Sequence, residues 1–312
     1  MRTLVLLAVL ALPTWFLLTR ARDAAAAEGT DAGAETALHA APQGPVEAKA
    51  PAPATRPDAL AELFAAADAS ADGLAPLLLA GSARIAELDG DAGHALAERL
   101  EPYCARAFDS PELGADMRRL GVVVHRVAKG EVPSRIARGY RVSDGLIARL
   151  NRDYAPTRLQ VGQELKLLDL SDGSLTLSVD RERHRLGAWR KAPNGGWLLL
   201  AYLPVGLGAP ETPTPSGATK VVERVRDPEW RDPNTGTVFP PGDPGNVLGG
   251  YWMRLDAEGI GKSGIGLHGY TAEEPSAWLG RDASNGCVRL RQDDMDRVFH
   301  LALEGTPLRF VP

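Results

Sequence analysis

The chain has 312 residues, enough for two or three domains, with 44% hydrophobic residues and a formal net charge of −5. That composition excludes a disordered chain, and the lack of a long Lys/Arg run excludes a phosphate-backbone binder, so no nucleic-acid partner is expected. Two cysteines, Cys104 and Cys287, lie far apart and form no disulfide framework.

Met1 and Arg2 precede an apolar run from Leu4 to Leu18 and the small residues Ala24–Ala27. This pattern reads as an export signal over residues 1–27. The run is shorter than the roughly 20 residues a spanning helix needs, yet Arg20 and Arg22 behind it leave an uncleaved anchor open. The expected location is the periplasm or cell wall, with any membrane contact made through this anchor alone. Residues 28–57, rich in Ala, Pro, Gly and Glu without apolar periodicity, read as a flexible linker that provides reach.

Over residues 58–120, Ala59, Leu60, Leu63 and Phe64, then Ile85, Leu88, Leu96 and Leu100, recur at helical spacing. Gly73, Gly81, Gly90 and Pro102 punctuate them, which predicts three or four short helices with a role in spacing or protein contact. Cys104 reads as a small core residue, and His94 as a helix-surface residue.

Residues 121–169 predict strand, helix, helix, strand. Val122, Val124 and Val127 fit the first strand, Lys129-Gly130-Glu131 a turn, and Val132–Gly139 a short helix. Ser143 offers an N-cap to a second helix carrying Leu146, Ile147 and Leu150. The runs Val124–Glu131, Ile136-Ala137, Leu150-Asn151 and Val161–Leu165 resemble a LysM module, departing from it at Val132-Pro133. The resemblance implies binding of N-acetylglucosamine-containing glycans in a shallow groove near Gly130 and the 151–156 loop. A spacer of the same fold that binds nothing is the alternative.

Residues 172–312 read as mostly β. Leu175, Leu177 and Val179 alternate, Leu186–Trp189 and Trp197–Leu203 flank an Asn194-Gly195-Gly196 turn, and Thr219–Arg226, Tyr251–Leu255, Ile265–Gly269 and Leu308–Val311 add strands. One helix is expected over Gln292–Leu303. Many short strands between turns suggest a sandwich or open barrel.

The chemistry concentrates in Leu267-His268-Gly269-Tyr270 and Ala283-Ser284-Asn285-Gly286-Cys287-Val288-Arg289-Leu290. A thiol acts as a nucleophile only as thiolate, and a nearby imidazole can take its proton. A strand–loop–strand return could bring His268 to Cys287. Ser284, Asn285 and Gly286 permit a tight turn, whose amides at Gly286 and Cys287 could face a developing oxyanion. No HExxH or CxxC spacing appears, so no metal and no cofactor are expected. Trp252, Tyr270 and Trp278 flank the motif and either line a groove or pack in the core.

These residues resemble the motif of the L,D-transpeptidase (YkuD-type) family, in which His-Gly precedes a Ser-His-Gly-Cys turn. The runs Pro204–Gly208, Thr212–Gly217 and Asn246–Gly249 with Tyr251-Trp252-Met253 extend the resemblance over about 140 residues. The expected fold is therefore a mostly β catalytic domain of YkuD type, a β-sandwich or open barrel, beside a small βααβ LysM module and a short helical N-terminal segment. The resemblance implies Cys287 as nucleophile, His268 as proton donor and acceptor, and the Gly269 carbonyl as the group orienting it. Gly286 would serve the oxyanion hole, Ser284 and Asn285 the turn, and Arg289 would brace the turn or meet a substrate carboxylate. Tyr251, Trp252 and Tyr270 are weaker substrate-binding candidates. Asn285 stands where the family usually has a second His. The implied partners are peptidoglycan stem peptides and glycan, and the implied reaction a thioester exchange that makes a 3→3 crosslink. Hydrolysis, protein anchoring and a non-catalytic wall-binding scaffold are the alternatives.

Overall fold

The helices α1 (Pro57–Ala69), α2 (Leu74–Ile85) and α3 (Gly90–Phe108) come first in a computed structural model that describes residues 57–312 apart from Asn194 and Asn234. The export signal or anchor, and all of the linker but Pro57, lie outside the described residues, as does the first residue of the Asn194-Gly195-Gly196 turn. Of the four residues expected to punctuate these helices, Gly81 and Pro102 lie inside them. Gly81 lets α2 approach α3 closely, since a Cβ there would stand 2.7 Å from Leu100 Cδ1. Pro102 is on the exposed side of α3. Leu100, Cys104, Ala107 and Phe108 are buried along the other side. Burying a large apolar side chain contributes roughly 1.5–3 kcal/mol, so two or three of them offset the about 3 kcal/mol cost of an interior proline. His94 is half-buried rather than a surface residue: its Nδ1 lies 3.1 Å from the Tyr202 hydroxyl.

Next comes a unit of β1 (Val122–Arg126), α4 (Pro133–Gly139), α5 (Asp144–Leu150) and β2 (Glu164–Leu168), with β1 and β2 antiparallel. Ser143 caps α5 by accepting from the Leu146 amide at 3.0 Å. The unit is seated against the rest of the chain. Ser143 Oγ donates to the His300 carbonyl at 2.8 Å, Arg149 pairs with Asp109 and Asp296, and Lys166 Nζ donates to the carbonyls of Ser110 (2.8 Å) and Glu112.

The remaining chain contributes β3 (Thr176–Asp180), β4 (Arg185–Lys191), β5 (Trp197–Pro204), β6 (Leu207–Gly208), β7 (Gly217–Arg226), β8 (Trp230–Arg231), β9 (Val238–Phe239), β10 (Tyr251–Leu255), β11 (Gly266–Gly269), α6 (Pro275–Trp278), β12 (Asp282–Ser284), β13 (Val288–Leu290), α7 (Gln292–Leu301) and β14 (Pro307–Val311). Eight strands form one sheet in the order β13-β11-β10-β7-β14-β3-β4-β5. Gly206, between β5 and β6, exchanges both backbone hydrogen bonds with Arg289 of β13, each 2.9 Å. Chain leaving one end of the strand order thereby pairs with the strand at the other end, and the sheet curls on itself. Leu177, Val179, Leu186, Ala188 and Leu267 are fully buried in its core.

The outer edge of β5 is covered by the helices. The Leu199 amide donates to Ser82 Oγ at 3.0 Å, and the Cys104 thiol donates to the Leu199 carbonyl at 3.4 Å. Glu101 accepts from the Tyr202 amide and pairs with Arg297, which also donates to the Leu200 carbonyl at 2.7 Å. An uncovered edge would leave these backbone groups open to pairing with another chain.

Candidate active site

Strands β11 and β13 run parallel, with His268 opposite Arg289. Parallel neighbours need a crossover, supplied by residues 270–287 with α6 and β12. Val288 of β13 is buried, and Arg289 and Cys287, the residue just before β13, flank it. Both line one cavity of about 640 Å³ together with His268, Trp252, Tyr270, Ser284 and Asn285. The segment between β7 and β10 forms the facing wall through Glu229, Trp230, Arg231 and Asp232.

The turn before Cys287 is closed by its own serine. Ser284 Oγ donates to the Cys287 carbonyl at 2.7 Å and accepts from the Gly286 amide at 3.1 Å. Gly286 has φ +112°, a conformation that favours glycine. Its amide, expected to face an oxyanion, is thus occupied by Ser284 in this structure. Two threonines from the loop after β6 support the turn. Thr212 Oγ1 donates to the Ser284 carbonyl at 3.0 Å, and Thr214 Oγ1 donates to the Gly286 carbonyl at 3.0 Å while accepting from the Gly208 amide at 2.8 Å. The sequence marked Thr212–Gly217 only as one of the runs that extend the resemblance; nothing local shows that its hydroxyls meet a turn some 70 residues later.

His268 is buried, and its Nδ1 hydrogen-bonds the Gly269 carbonyl. A carbonyl only accepts, so Nδ1 carries the proton and Nε2 is the basic nitrogen. Burial pushes the His268 pKa down to about 4, with the Gly269 carbonyl opposing and Arg289 adding to the fall. Cys287 is half-buried, and its thiol lies 3.6 Å from the Gly264 carbonyl. Burial pushes the thiol pKa up, opposed by the Gly266 amide, Arg289 and Lys262. At neutral pH the pair therefore rests as thiol and neutral imidazole. Arg289 stacks 3.7 Å above the Tyr270 ring and donates to the Ala283 carbonyl at 3.1 Å, while its buried Nε has no hydrogen-bond partner.

Tyr251, a weaker binding candidate from sequence, is not among the cavity-lining residues. It precedes Trp252 on β10, so its side chain turns to the other face, where its ring lies 4.4 Å from that of Phe299. Trp252 faces the cavity, 5.8 Å between ring centroids from His268. Trp278 is fully buried, which settles it as core. His184 pairs with Asp282 at 2.9 Å and His300 sits beside Ser143, both outside the cavity lining. Among the described residues no group of three or more His, Cys, Asp or Glu is placed to hold a metal, and no helix is long and apolar enough to cross a membrane.

A pH dependence of stability follows. The folded-state pKa of His268 lies near 4, below the unfolded value of about 6.5. Between these values the unfolded chain binds more protons, so stability rises with pH across the window. The expected result is a denaturant midpoint that is full above about pH 6.5 and falls as pH drops towards about 4. His268→Asn should flatten part of that slope; a slope unchanged in the variant contradicts the depressed pKa.

Residues 176–309 match the family model of the YkuD L,D-transpeptidase catalytic domain, and residues 125–167 that of the LysM domain. YqjB of Bacillus subtilis (strain 168), whose name assigns it to the L,D-transpeptidases, is 32% identical over 102 residues, covering 33% of this chain and 54% of YqjB. YkuD of the same organism, named likewise, is 22% identical over 190 residues, covering 59% of this chain and 96% of YkuD. The chain thus spans about half the length of the first relative and nearly all of the second. The crystal structure of an L,D-transpeptidase from Mycobacterium tuberculosis H37Rv aligns with 20% identity and a TM-score of 0.32, covering 45% of this chain and 58% of that one.

Proposed function

From a chain that carries a YkuD-family L,D-transpeptidase catalytic domain at residues 176–309 and a LysM domain at residues 125–167, we propose a cysteine acyltransferase acting on peptidoglycan. Cys287 attacks the carbonyl that precedes the terminal D-alanine of a tetrapeptide stem. Its S–H proton passes to Nε2 of His268, the S–C bond forms, and the carbonyl π electrons move to oxygen. Collapse expels D-alanine, whose amine takes the proton back from His268, and a thioester remains. A neighbouring stem amine resolves the thioester by the reverse sequence and forms a 3→3 crosslink. The Gly269 carbonyl holds the imidazole in the required tautomer. Arg289 lines the cavity, so its guanidinium is suited to a substrate carboxylate while its stacking on Tyr270 braces the turn.

The observation that carries this reading is the β11–β13 register, which sets His268 beside the strand that begins one residue after Cys287, with both residues lining one cavity. Hydrolysis and protein anchoring share the first half-reaction and differ only in the acceptor. The test incubates the full chain with a disaccharide-tetrapeptide and reads the products by mass spectrometry. A crosslinked dimer lacking one D-alanine is expected. Shortened monomer alone would assign hydrolysis, and unchanged substrate would contradict the proposal.

The LysM domain would hold the wall polymer. Residues 125–167 contain nine Lys and Arg against four Asp and Glu, although the whole chain is acidic. Seven of the nine, Arg126, Lys129, Arg135, Arg138, Arg141, Arg152 and Arg158, are exposed and without an ion pair among the described residues. Stem-peptide carboxylates complement this surface. Retention of the full chain on purified sacculi should therefore fall several-fold between about 0.1 M and about 1 M NaCl, as the Debye length shrinks from about 10 Å to about 3 Å. Retention independent of salt would mean that uncharged saccharide contacts alone carry the binding.

A further inference from the structure

The loop from β10 to β11 folds back over the nucleophile turn through three glycines with positive φ, Gly259 (+84°), Gly261 (+65°) and Gly264 (+75°). Its Gly264 carbonyl accepts from the Cys287 thiol. Its one cationic side chain, Lys262, reaches the same turn. Lys262 Nζ donates to the Pro213 carbonyl at 3.4 Å, and a Cβ placed on Gly286 would stand only 2.7 Å from that nitrogen. The ammonium therefore occupies the space where a side chain at position 286 would lie, one residue before the nucleophile. Lys262 has no ion-pair partner among the described residues, so its charge is not neutralised by a carboxylate. The Gly286 amide, meanwhile, is bound to Ser284 Oγ, which leaves the turn short of one donor for a developing negative charge.

We propose that Lys262 is a positioning residue of the nucleophile turn, whose ammonium, packed beside Gly286 and outside the cavity lining, favours the thiolate of Cys287. The proposal rests on the reading of Cys287 as nucleophile. Lys262 keeps its proton throughout: the S–H proton goes to His268 Nε2 and the S–C bond forms, while the ammonium acts on the sulfur through the turn. Neighbouring positive charge favours the thiolate over the thiol, and Lys262 acts on Cys287 in that direction, alongside Arg289. Lys262 is only half-buried, so solvent screens part of its effect and salt weakens it.

The test uses the full chain with Lys262→Met and Lys262→Arg. Alkylation of Cys287 by iodoacetamide, followed across pH by peptide mass spectrometry, reads the thiolate without any wall substrate. In Lys262→Met the alkylation midpoint should move up by roughly half to one pH unit, and Lys262→Arg should restore it. Acylation by the tetrapeptide should slow about 3- to 10-fold in kcat with KM little changed, in step with that midpoint. An alkylation profile superimposed on wild type overturns the proposal, and a lowered Tm with that same profile would show Lys262 to be only a strut for the loop. A shifted midpoint in a chain whose wild type is never acylated by the tetrapeptide would support the action of Lys262 on the thiol and overturn the substrate reading instead.

Discussion

Replacing Cys287 by alanine should remove the proposed acyl transfer, with D-alanine release from a tetrapeptide falling by at least about 10⁴-fold, the scale of losing a nucleophile from a working pair. The fold should not change. Cys287 is half-buried and its thiol meets the backbone of Gly264 and Gly266, so the thermal midpoint should stay within about 2 °C of wild type. Cys287→Ser should be nearly as inactive. Imidazole with a pKa near 4 can take a proton from a thiol in concert with attack but is a poor base for a hydroxyl, which is far less acidic. His268→Ala should slow the reaction about 10²- to 10⁴-fold, the usual contribution of a positioned acid–base group. Stopped-flow or discontinuous D-alanine assays check all three. Wild-type turnover in Cys287→Ala would remove that thiol from the mechanism.

Loss of the N-terminal helices should prevent the rest of the chain from folding. Deleting residues 57–108 exposes the β5 edge and strips its Leu199 and Tyr202 backbone groups of the cover arranged by Ser82, Cys104 and Glu101. It also leaves Arg297, nearly buried on α7, without its carboxylate. A single change isolates that last effect. Glu101→Ala should destabilise the protein by about 3–5 kcal/mol, because removing one member of a buried pair strands the other charge. Burial pushes the Glu101 carboxyl pKa up against the pull of Arg297, which marks how dry the site is. Urea unfolding of the full chain reads the loss. A Glu101→Ala variant within about 0.5 kcal/mol of wild type, or a deleted chain that still unfolds cooperatively at the wild-type midpoint, would show that the helices are an appendage.

The longer strands and the candidate motif were legible because each is written locally. Tyr251–Leu255 was marked by its β-forming residues and occurs at the same residues in the structure, and Ser143 was readable as a cap because the hydroxyl serves an amide three residues on. Helix breaks were misread at Gly81 and Pro102, where tertiary contact overrides local preference: Gly81 is needed for the approach of Leu100, and Pro102 simply faces solvent. Contacts between distant segments left no local mark. Nothing in the spacing of Thr212, Thr214 or Lys262 reveals that they meet the turn at 284–287. Tyr251 and Trp252, adjacent in sequence, could not both face one cavity on a strand, and only Trp252 does. The basic surface of residues 125–167 was hidden by the acidic total for the chain.

The most direct test is the mass of the Cys287 peptide after the full chain is mixed briefly with tetrapeptide substrate and quenched in acid, which preserves thioesters. The expected result is a single acyl adduct on that peptide equal to the stem lacking its terminal D-alanine, with the buried Cys104 unmodified. Substrate consumed at the wild-type rate with no adduct on Cys287, at any quench time, would contradict acyl transfer through this thiol.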